Sequence, residues 1–276
     1  MTTPVHPSEI RLIATDLDGT LLRPDKTISE RTTDAIRSAH EAGLQVVAAT
    51  GRYPATLAAL LTPVGIDYAV ASNGAQCYRL SSGDLLFEEV VPTDSVRAIM
   101  DYLPQALDGV LFEAVTDHGL VHYAEAGYFD LVHEYERRMF PLRYLEIPKA
   151  AMLDHAIVKL AVRHPSATPE ELLDTLVESG LTGFHATTSG APFLEISGPG
   201  VTKASGVARL ASVLGLESRQ VLAVGDARND VELLEWSGIG VAMGNAVAEA
   251  LAAADHTTAS NDEDGLAAVI ERLLAS

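Results

Sequence analysis

Asp16-Leu17-Asp18-Gly19-Thr20 is the stretch from which the fold of this 276-residue chain can be worked out. It follows a mostly apolar segment, residues 10–14, that predicts a buried β-strand. Two carboxylates one residue apart repel each other unless a cation or a proton lies between them. The pattern therefore indicates either a Mg²⁺ site or a nucleophile with a proton-transfer partner. The alternative is an acidic turn that only caps the next element.

The composition is that of a globular protein with a strongly acidic surface. Apolar residues make up 47% of the chain, and the formal net charge is −19. This charge repels nucleic acid and anionic membranes, so we expect neither as a partner. It also repels a phosphorylated substrate, so an anion site would need positive charge from a metal ion, a lysine or a helix N-terminus.

Cysteine content and hydropathy indicate the compartment. Cys77 is the only cysteine, so no intrachain disulfide can form, which favours a reducing environment. Residues 1–8 lack the basic and apolar regions of a signal peptide. No stretch approaches the roughly 18 apolar residues that a membrane span requires. We therefore predict a cytoplasmic protein, and the length suggests about two domains.

Strand and helix patterns alternate over much of the chain, which predicts a doubly wound, mainly parallel α/β sheet. Ser29 is suited to cap one helix, and Thr168-Pro169-Glu170-Glu171 is a capping box that opens another. The predicted parallel strands are 11–15, 45–49, 68–72, 221–225 and 239–243. The predicted helices are 29–42, 54–61, 168–179, 203–214, one that begins near 230, and 265–274.

A different pattern separates the third and fourth of these strands. Ser81-Ser82-Gly83 and Asp117-His118-Gly119 are hairpin signals between apolar strands, and they indicate an antiparallel α+β region. We therefore predict a sheet domain from residues 1–75 and 190–276, with an inserted α+β domain at residues 76–189.

Polar residues follow each predicted parallel strand. Ligands of open α/β sheets bind outside the carboxyl ends of the strands, so these residues predict one binding site at one edge of the sheet. In strand order, they are Asp16 and Asp18; Thr50-Gly51-Arg52; Ser72-Asn73-Gly74; Gly225-Asp226 with Asn229-Asp230; and Gly244 with Asn245.

These motifs, in this order, resemble the four motifs of the haloacid dehalogenase superfamily: Asp16-Leu17-Asp18-Gly19-Thr20, Thr50-Gly51-Arg52, Lys203 and Gly225-Asp226-x-x-Asn229-Asp230. The insert between the second and third motifs resembles the large α/β cap of Cof-type hydrolases. The resemblance covers essentially the whole chain. It implies a Rossmann-like core with a cap, and a Mg²⁺-dependent phosphatase that acts on a small phosphorylated metabolite through an aspartyl-phosphate.

The resemblance also implies roles for the matching residues. Asp16 would attack phosphorus, and Asp18 would protonate the leaving oxygen and then deprotonate water. Asp16, the backbone carbonyl of Asp18 and Asp226 would bind Mg²⁺. The remaining implied roles are phosphate binding by Leu17, Thr50, Gly51, Lys203 and Asn229, orientation of metal-bound water by Asn229 and Asp230, and possible substrate contact by Arg52 and Arg228.

Three of these residues also have a structural alternative when each is considered alone. Lys203 could be a solvated helix lysine, because most lysines are exposed. Thr50 could only cap a helix. Arg52 could pair with a carboxylate or contact substrate, and the sequence does not choose between these roles.

Two other functions remain open at this point. One is a phosphomutase of the phosphomannomutase type, which has similar motifs and caps. The other is a non-catalytic sensor of phosphorylated metabolites, although such a protein could lose Asp16 or Asp18 and this chain has both. The sequence does not decide between a monomer and a homodimer.

Overall fold

The computed structural model of the chain describes residues 6–133 and 143–276. The strands are β1 Leu12–Thr15, β2 Gln45–Ala49, β3 Tyr68–Ala71, β4 Gln76–Arg79, β5 Asp84–Glu88, β6 Leu111–Thr116, β7 Val121–Ala124, β8 Arg143–Glu146, β9 Lys159–Arg163, β10 His185–Thr187, β11 Leu194–Ser197, β12 Val221–Gly225, β13 Ile239–Ala242 and β14 His256–Thr257. The α-helices are α1 Glu30–Glu41, α2 Leu57–Leu61, α3 Thr93–Ala106, α4 Lys149–Met152, α5 Pro169–Glu178, α6 Lys203–Val213, α7 Val231–Trp236, α8 Ala248–Ala253 and α9 Gly265–Leu274.

The chain divides into two compact units, and the first contains Met1–Arg52, Leu57–Leu86 and Thr202–Ser276. Its sheet has the strand order β14-β13-β12-β1-β2-β3-β4-β5. Strand β1 pairs in parallel with both β2 and β12, and only at β4 does an antiparallel pairing with β3 begin. This arrangement confirms the predicted doubly wound, mainly parallel sheet.

Strand β1 lies in the middle of this sheet, and all its side chains are buried because helices cover both faces. On one face Ile13 packs in a cluster with Ile36 of α1 and Ile270 of α9. On the other face α6 contacts β2 and β3. Each such fully buried aliphatic side chain contributes about 1.5–3 kcal/mol relative to exposure. This packing holds the strand ends that carry the polar motifs.

Local signals at the helix ends are confirmed. Ser29 caps α1 by accepting a hydrogen bond from Thr32 N at 3.0 Å. Thr168 and Glu171 form the reciprocal capping box that opens α5. Both signals depend on residues three positions apart, which is why the sequence alone reveals them.

The second unit contains Tyr53–Thr56 and Phe87–Val201. Its sheet has the order β10-β11-β9-β6-β7-β8 and is mainly antiparallel, as the hairpin at 117–119 predicted. One face packs against helices through an apolar cluster that includes Phe112 and Leu160. The other face carries a buried ion pair, Lys159 with Glu195, and a buried side-chain contact between His122 and Glu113.

The boundaries between the units differ from the predicted ones. The hairpin at 81–83 joins β4 and β5, which extend the first sheet beyond β3. The first unit therefore continues to Leu86, and the second, apart from Tyr53–Thr56, begins at Phe87. The first unit resumes at Thr202 and not at residue 190. A hairpin signal specifies a turn and not the sheet that its strands join, so only the pairing of β4 with β3 could reveal this assignment.

The sequence prediction also missed helices α3 and α4 and strands β8 and β14, and it misplaced other elements. Helix α3 was not expected, and Pro104 in its last turn interrupts the helical pattern. The helix expected at 54–61 begins with a 3₁₀ turn, so its α-helical part starts at Leu57. Within the two described stretches, every helix is too short or too polar to cross a membrane.

Candidate active site

Asp16 and Asp226 lie side by side because their strands pair in parallel. Thr15 of β1 is in register with Val224 of β12, and Asp16 N donates a hydrogen bond to Val224 O at 2.9 Å. The backbone turns directly after each of these two strands. The sheet edge predicted to carry the ligand site therefore does bring two of the motifs together.

A buried lysine lies between two aspartates at this edge. Lys203 Nζ donates to Asp16 Oδ1 and to Asp230 Oδ1, both at 2.6 Å. The three residues are at most 4% exposed. Lys203 is the first residue of α6, and Thr202 caps that helix by accepting from Ser205 N. The alternative of a solvated surface lysine is thus wrong.

Asp230 is held in place through both of its carboxylate oxygens. Oδ1 accepts from Lys203, while Oδ2 accepts from the backbone N–H groups of Asp226 and Ala227, each at 3.0 Å. The chain passes so close that a Cβ at Gly225 would lie 2.6 Å from Asp230 Cβ. Asp230 therefore fixes both Lys203 and the loop that carries Asp226.

Three carboxylates gather around one point. Oxygens of Asp16, Asp226 and Asp230 lie within 4.8 Å of one another. Burial raises the pKa of Asp16 well above its usual range, against the opposing charge of Lys203. Burial, then the charge of Asp230, raises the pKa of Asp226 to about 6. Both carboxylates are therefore costly to ionise in this buried place. The three carboxylates also carry more negative charge than Lys203 can balance, and a divalent cation would relieve both conditions.

The donors present fit Mg²⁺. Carboxylate oxygens are its preferred protein ligands, and it usually keeps several waters. Asn229 Oδ1 is buried, and no residue in the described ranges forms a hydrogen bond with it. A buried acceptor of this kind is suited to a metal-bound water. Thr20 Oγ1 donates to Asp226 Oδ1 at 2.8 Å and orients that carboxylate.

The side chain of Asp18 lies outside the carboxylate cluster. It accepts from Arg52 Nε at 2.6 Å, from Arg52 Nη2 at 2.7 Å and from Lys26 Nζ at 2.7 Å. Burial acts to raise the pKa of Asp18, but Arg52 and then Lys26 outweigh it and lower the pKa to about 2. Of the two roles open for Arg52, the structure therefore shows the pairing with a carboxylate.

The structure also shows where the other predicted site residues lie. Thr50, 1% exposed, follows β2 and accepts from Arg52 N at 3.1 Å. It caps no α-helix, because α2 begins only at Leu57. Leu17 and Gly51 come directly after Asp16 and Thr50 at the same strand ends. Arg228 is exposed and donates to Glu249 at 2.6 Å.

Three residues at this edge have no individual role in the sequence prediction. Thr20 belongs to the first motif without a role of its own, and Lys26 belongs to no motif. Asn73, which follows the third predicted strand, has φ +56°, is buried and accepts from Asn229 Nδ2 at 2.9 Å. The two asparagines are 156 positions apart, so only the fold could reveal this contact.

We expect Gly19→Ala to displace Asp226 and weaken Mg²⁺ binding by about 10–100-fold. A Cβ at Gly19 would lie 2.2 Å from Asp226 Oδ2, and the backbone there has φ +93°. Isothermal titration calorimetry with Mg²⁺ measures the effect. Gly43→Ala is the matched control, because φ is +83° but no atom lies within 4 Å of its Cβ. If both variants bind Mg²⁺ equally well, the close approach of Gly19 to Asp226 has no part in metal binding.

Comparison with known proteins was consistent across sequence and structure. The profile of haloacid dehalogenase-like hydrolases matches residues 13–270. The chain is 28% identical over 264 residues to the 5-amino-6-(5-phospho-D-ribitylamino)uracil phosphatase YcsE of Bacillus subtilis, covering 95% of each chain. It is 27% identical over 265 residues to the pyridoxal phosphate phosphatase YbhA of Escherichia coli, covering 94% of this chain and 97% of that one. A haloacid dehalogenase-like hydrolase structure from Bacteroides thetaiotaomicron has a TM-score of 0.78 at 26% identity, covering 96% and 99% of the two chains.

Proposed function

The chain belongs to the haloacid dehalogenase-like hydrolases and is a phosphoric monoester hydrolase, and we propose that it releases phosphate from a small phosphorylated metabolite in a Mg²⁺-dependent reaction. One observation carries this proposal: Asp16, bonded to a buried lysine, lies within a cluster of three carboxylates at the carboxyl edge of the sheet.

Asp16 is proposed as the nucleophile. Its carboxylate would attack phosphorus, the bond to the ester oxygen would break, and an aspartyl-phosphate would form. The hydrogen bond from Lys203 fixes the orientation of the carboxylate, and burial leaves few competing waters. Positioning and charge stabilisation supply most of the rate enhancement in phosphoryl transfer, so a rigid nucleophile is what the reaction requires.

Mg²⁺ would be held by Asp16, Asp226 and the backbone carbonyl of Asp18, and when bound it neutralises charge on the transferring phosphoryl group. Asp230 and Asn229 would position these ligands and the water molecules bound to the metal. Thr50, Lys203 and Asn229, with the N–H groups of Leu17 and Gly51, are proposed to hold phosphate oxygens.

Asp18 is proposed to serve both proton transfers. It would protonate the leaving oxygen in the first step, then accept a proton from the water that hydrolyses the aspartyl-phosphate. Both its oxygens are bonded to Arg52 and Lys26 in this structure. The pKa of about 2 means that the carboxylate is ionised while both cations are bound to it. Asp18 must therefore exchange at least one of these partners and bind a proton from solvent before it can protonate a leaving oxygen.

The second unit is proposed to act as a cap that contributes to substrate selection. Two observations support this role: the unit is inserted in the sequence between the second and third motifs, and it has a separate α+β sheet. We propose that the enzyme works in the cytoplasm, as the single cysteine predicts.

A panel of phosphorylated metabolites tests the function directly, and pyridoxal phosphate and 5-amino-6-(5-phospho-D-ribitylamino)uracil are the first members to include. We expect phosphate release with Mg²⁺, a fall of at least about 100-fold with EDTA, and recovery when Mg²⁺ is restored in excess. Release that is insensitive to chelation would contradict the metal's role. An isomerised sugar phosphate without free phosphate would instead identify a phosphomutase.

A further inference from the structure

Two cations converge on the Asp18 carboxylate, and only one of them belongs to a recognised motif. Arg52 binds it through two nitrogens, and its side chain is 10% exposed. Lys26 binds it through one hydrogen bond of 2.7 Å, and its side chain is 30% exposed. Together the three side chains carry a net charge of +1, within a chain whose formal net charge is −19.

The backbone of Lys26 is held in an uncommon conformation. Its φ is +66°, in the left-handed region that side-chain-bearing residues usually avoid. A tight turn enforces it: Lys26 N donates to Arg23 O at 2.8 Å, and Asp25 Oδ1 accepts from Thr27 N and Oγ1. Residues whose surroundings hold them in such strained conformations are concentrated at functional sites.

Lys26 is the partner that Asp18 can exchange more easily. A single hydrogen bond from a partly exposed lysine is weaker than a bidentate bond from a largely buried arginine. When Asp18 turns to the leaving oxygen, as the proposed function requires, Nζ of Lys26 loses the carboxylate that it binds at 2.7 Å. An anionic substituent of the substrate would then replace the carboxylate that Lys26 has lost.

We propose, on the basis of the proposed function, that Lys26 is a specificity-determining residue for phosphate monoesters whose leaving group carries a second anion. The carboxylate or second phosphate would lie two or three bonds from the ester oxygen, because Lys26 reaches the same carboxylate that is to protonate that oxygen. The turn from Arg23 to Thr27 presents the ammonium group in advance, which lowers the entropy cost of binding the anion.

Calorimetry with a matched pair of ligands tests the proposal. 3-Phosphoglycerate and glycerol 3-phosphate share a carbon skeleton but differ in the carboxylate, and each is titrated into Mg²⁺-loaded Asp16→Asn, in which turnover is blocked. We expect 3-phosphoglycerate to bind about tenfold more tightly than glycerol 3-phosphate, and Lys26→Met to abolish this difference without weakening glycerol 3-phosphate. Lys26→Arg should retain the preference.

Arg23→Met is the matched control, because Arg23 belongs to the same turn but pairs with Asp264. It should leave the tenfold preference intact. Equal binding of the two ligands, binding of neither, or a uniform loss for both in Lys26→Met would each overturn the role of Lys26. Failure of the proposed function would be seen separately, as an absence of phosphate release from the wild-type protein across the metabolite panel.

Discussion

Asp16→Asn is expected to lower kcat by at least about 10⁴-fold, the largest effect of any single substitution in this chain. An amide is a far weaker nucleophile than a carboxylate and cannot form the aspartyl-phosphate. The substitution also removes one of the three carboxylates of the candidate metal site. Phosphate release under single-turnover conditions, with Mg²⁺ at saturation, separates the loss of chemistry from a weaker metal affinity.

Folding is not expected to explain this loss. Burial raises the pKa of Asp16, so its ionised form is costly in the folded state, and a neutral isostere removes that cost. The remaining cation, Lys203, keeps its bond to Asp230. The denaturation midpoint of Asp16→Asn should therefore stay close to that of the wild type. A variant that retains more than about a tenth of the wild-type kcat would contradict the nucleophilic role.

Lys203→Met is expected to damage stability and activity together. Lys203 is the cation between Asp16 and Asp230, and its removal leaves two buried carboxylates uncompensated. Breaking a buried ion pair from one side typically costs about 3–5 kcal/mol. The loss of a donor proposed to bind phosphate should also lower kcat by about 10²–10³-fold. Urea denaturation and steady-state kinetics measure the two effects.

A second substitution shows how much of the stability lost in Lys203→Met comes from uncompensated charge and how much from lost packing. Asp230→Asn in the Lys203→Met background removes one uncompensated carboxylate, so we expect the double variant to regain part of the lost free energy of unfolding. Lys149→Met is the matched control, because Lys149 Nζ donates to a neutral group, Met100 O, at 2.9 Å. Its cost should stay near 1 kcal/mol. A Lys203→Met variant as stable as Lys149→Met would show that the buried lysine is not needed to balance the cluster.

Much of the first unit could be predicted because its signals are local. Strands β2 and β12 and helix α9 have the bounds predicted from residue patterns. Their apolar runs, caps and glycine ends lie within a few residues of one another, and a parallel sheet buries both faces of its strands. The assignment of β4 and β5 failed because their partner strand is a matter of pairing, which no local pattern encodes.

The candidate site could be predicted from the sequence to a similar extent. The motif residues and the sheet edge on which they meet follow from the chain, since parallel strands present their carboxyl ends together. The contacts among side chains did not follow. Lys203 lies 187 positions from Asp16, and Asn229 lies 156 positions from Asn73. Considered alone, Lys203 could be a solvated helix lysine, and its burial between two aspartates excludes that alternative.

The sequence by itself determined the doubly wound sheet and the order of the motifs, because strand periodicity and residue spacing are properties of short segments. The carboxylates proposed to react follow from the resemblance of those motifs to the family. Only the tertiary structure decided which charges meet. It places Lys203 between Asp16 and Asp230, and it pairs the Asp18 side chain with Arg52 and Lys26, outside the carboxylate cluster. Electrostatic interactions depend on the distance between charges and on their burial. Both are set by the packing of segments that lie far apart in the sequence.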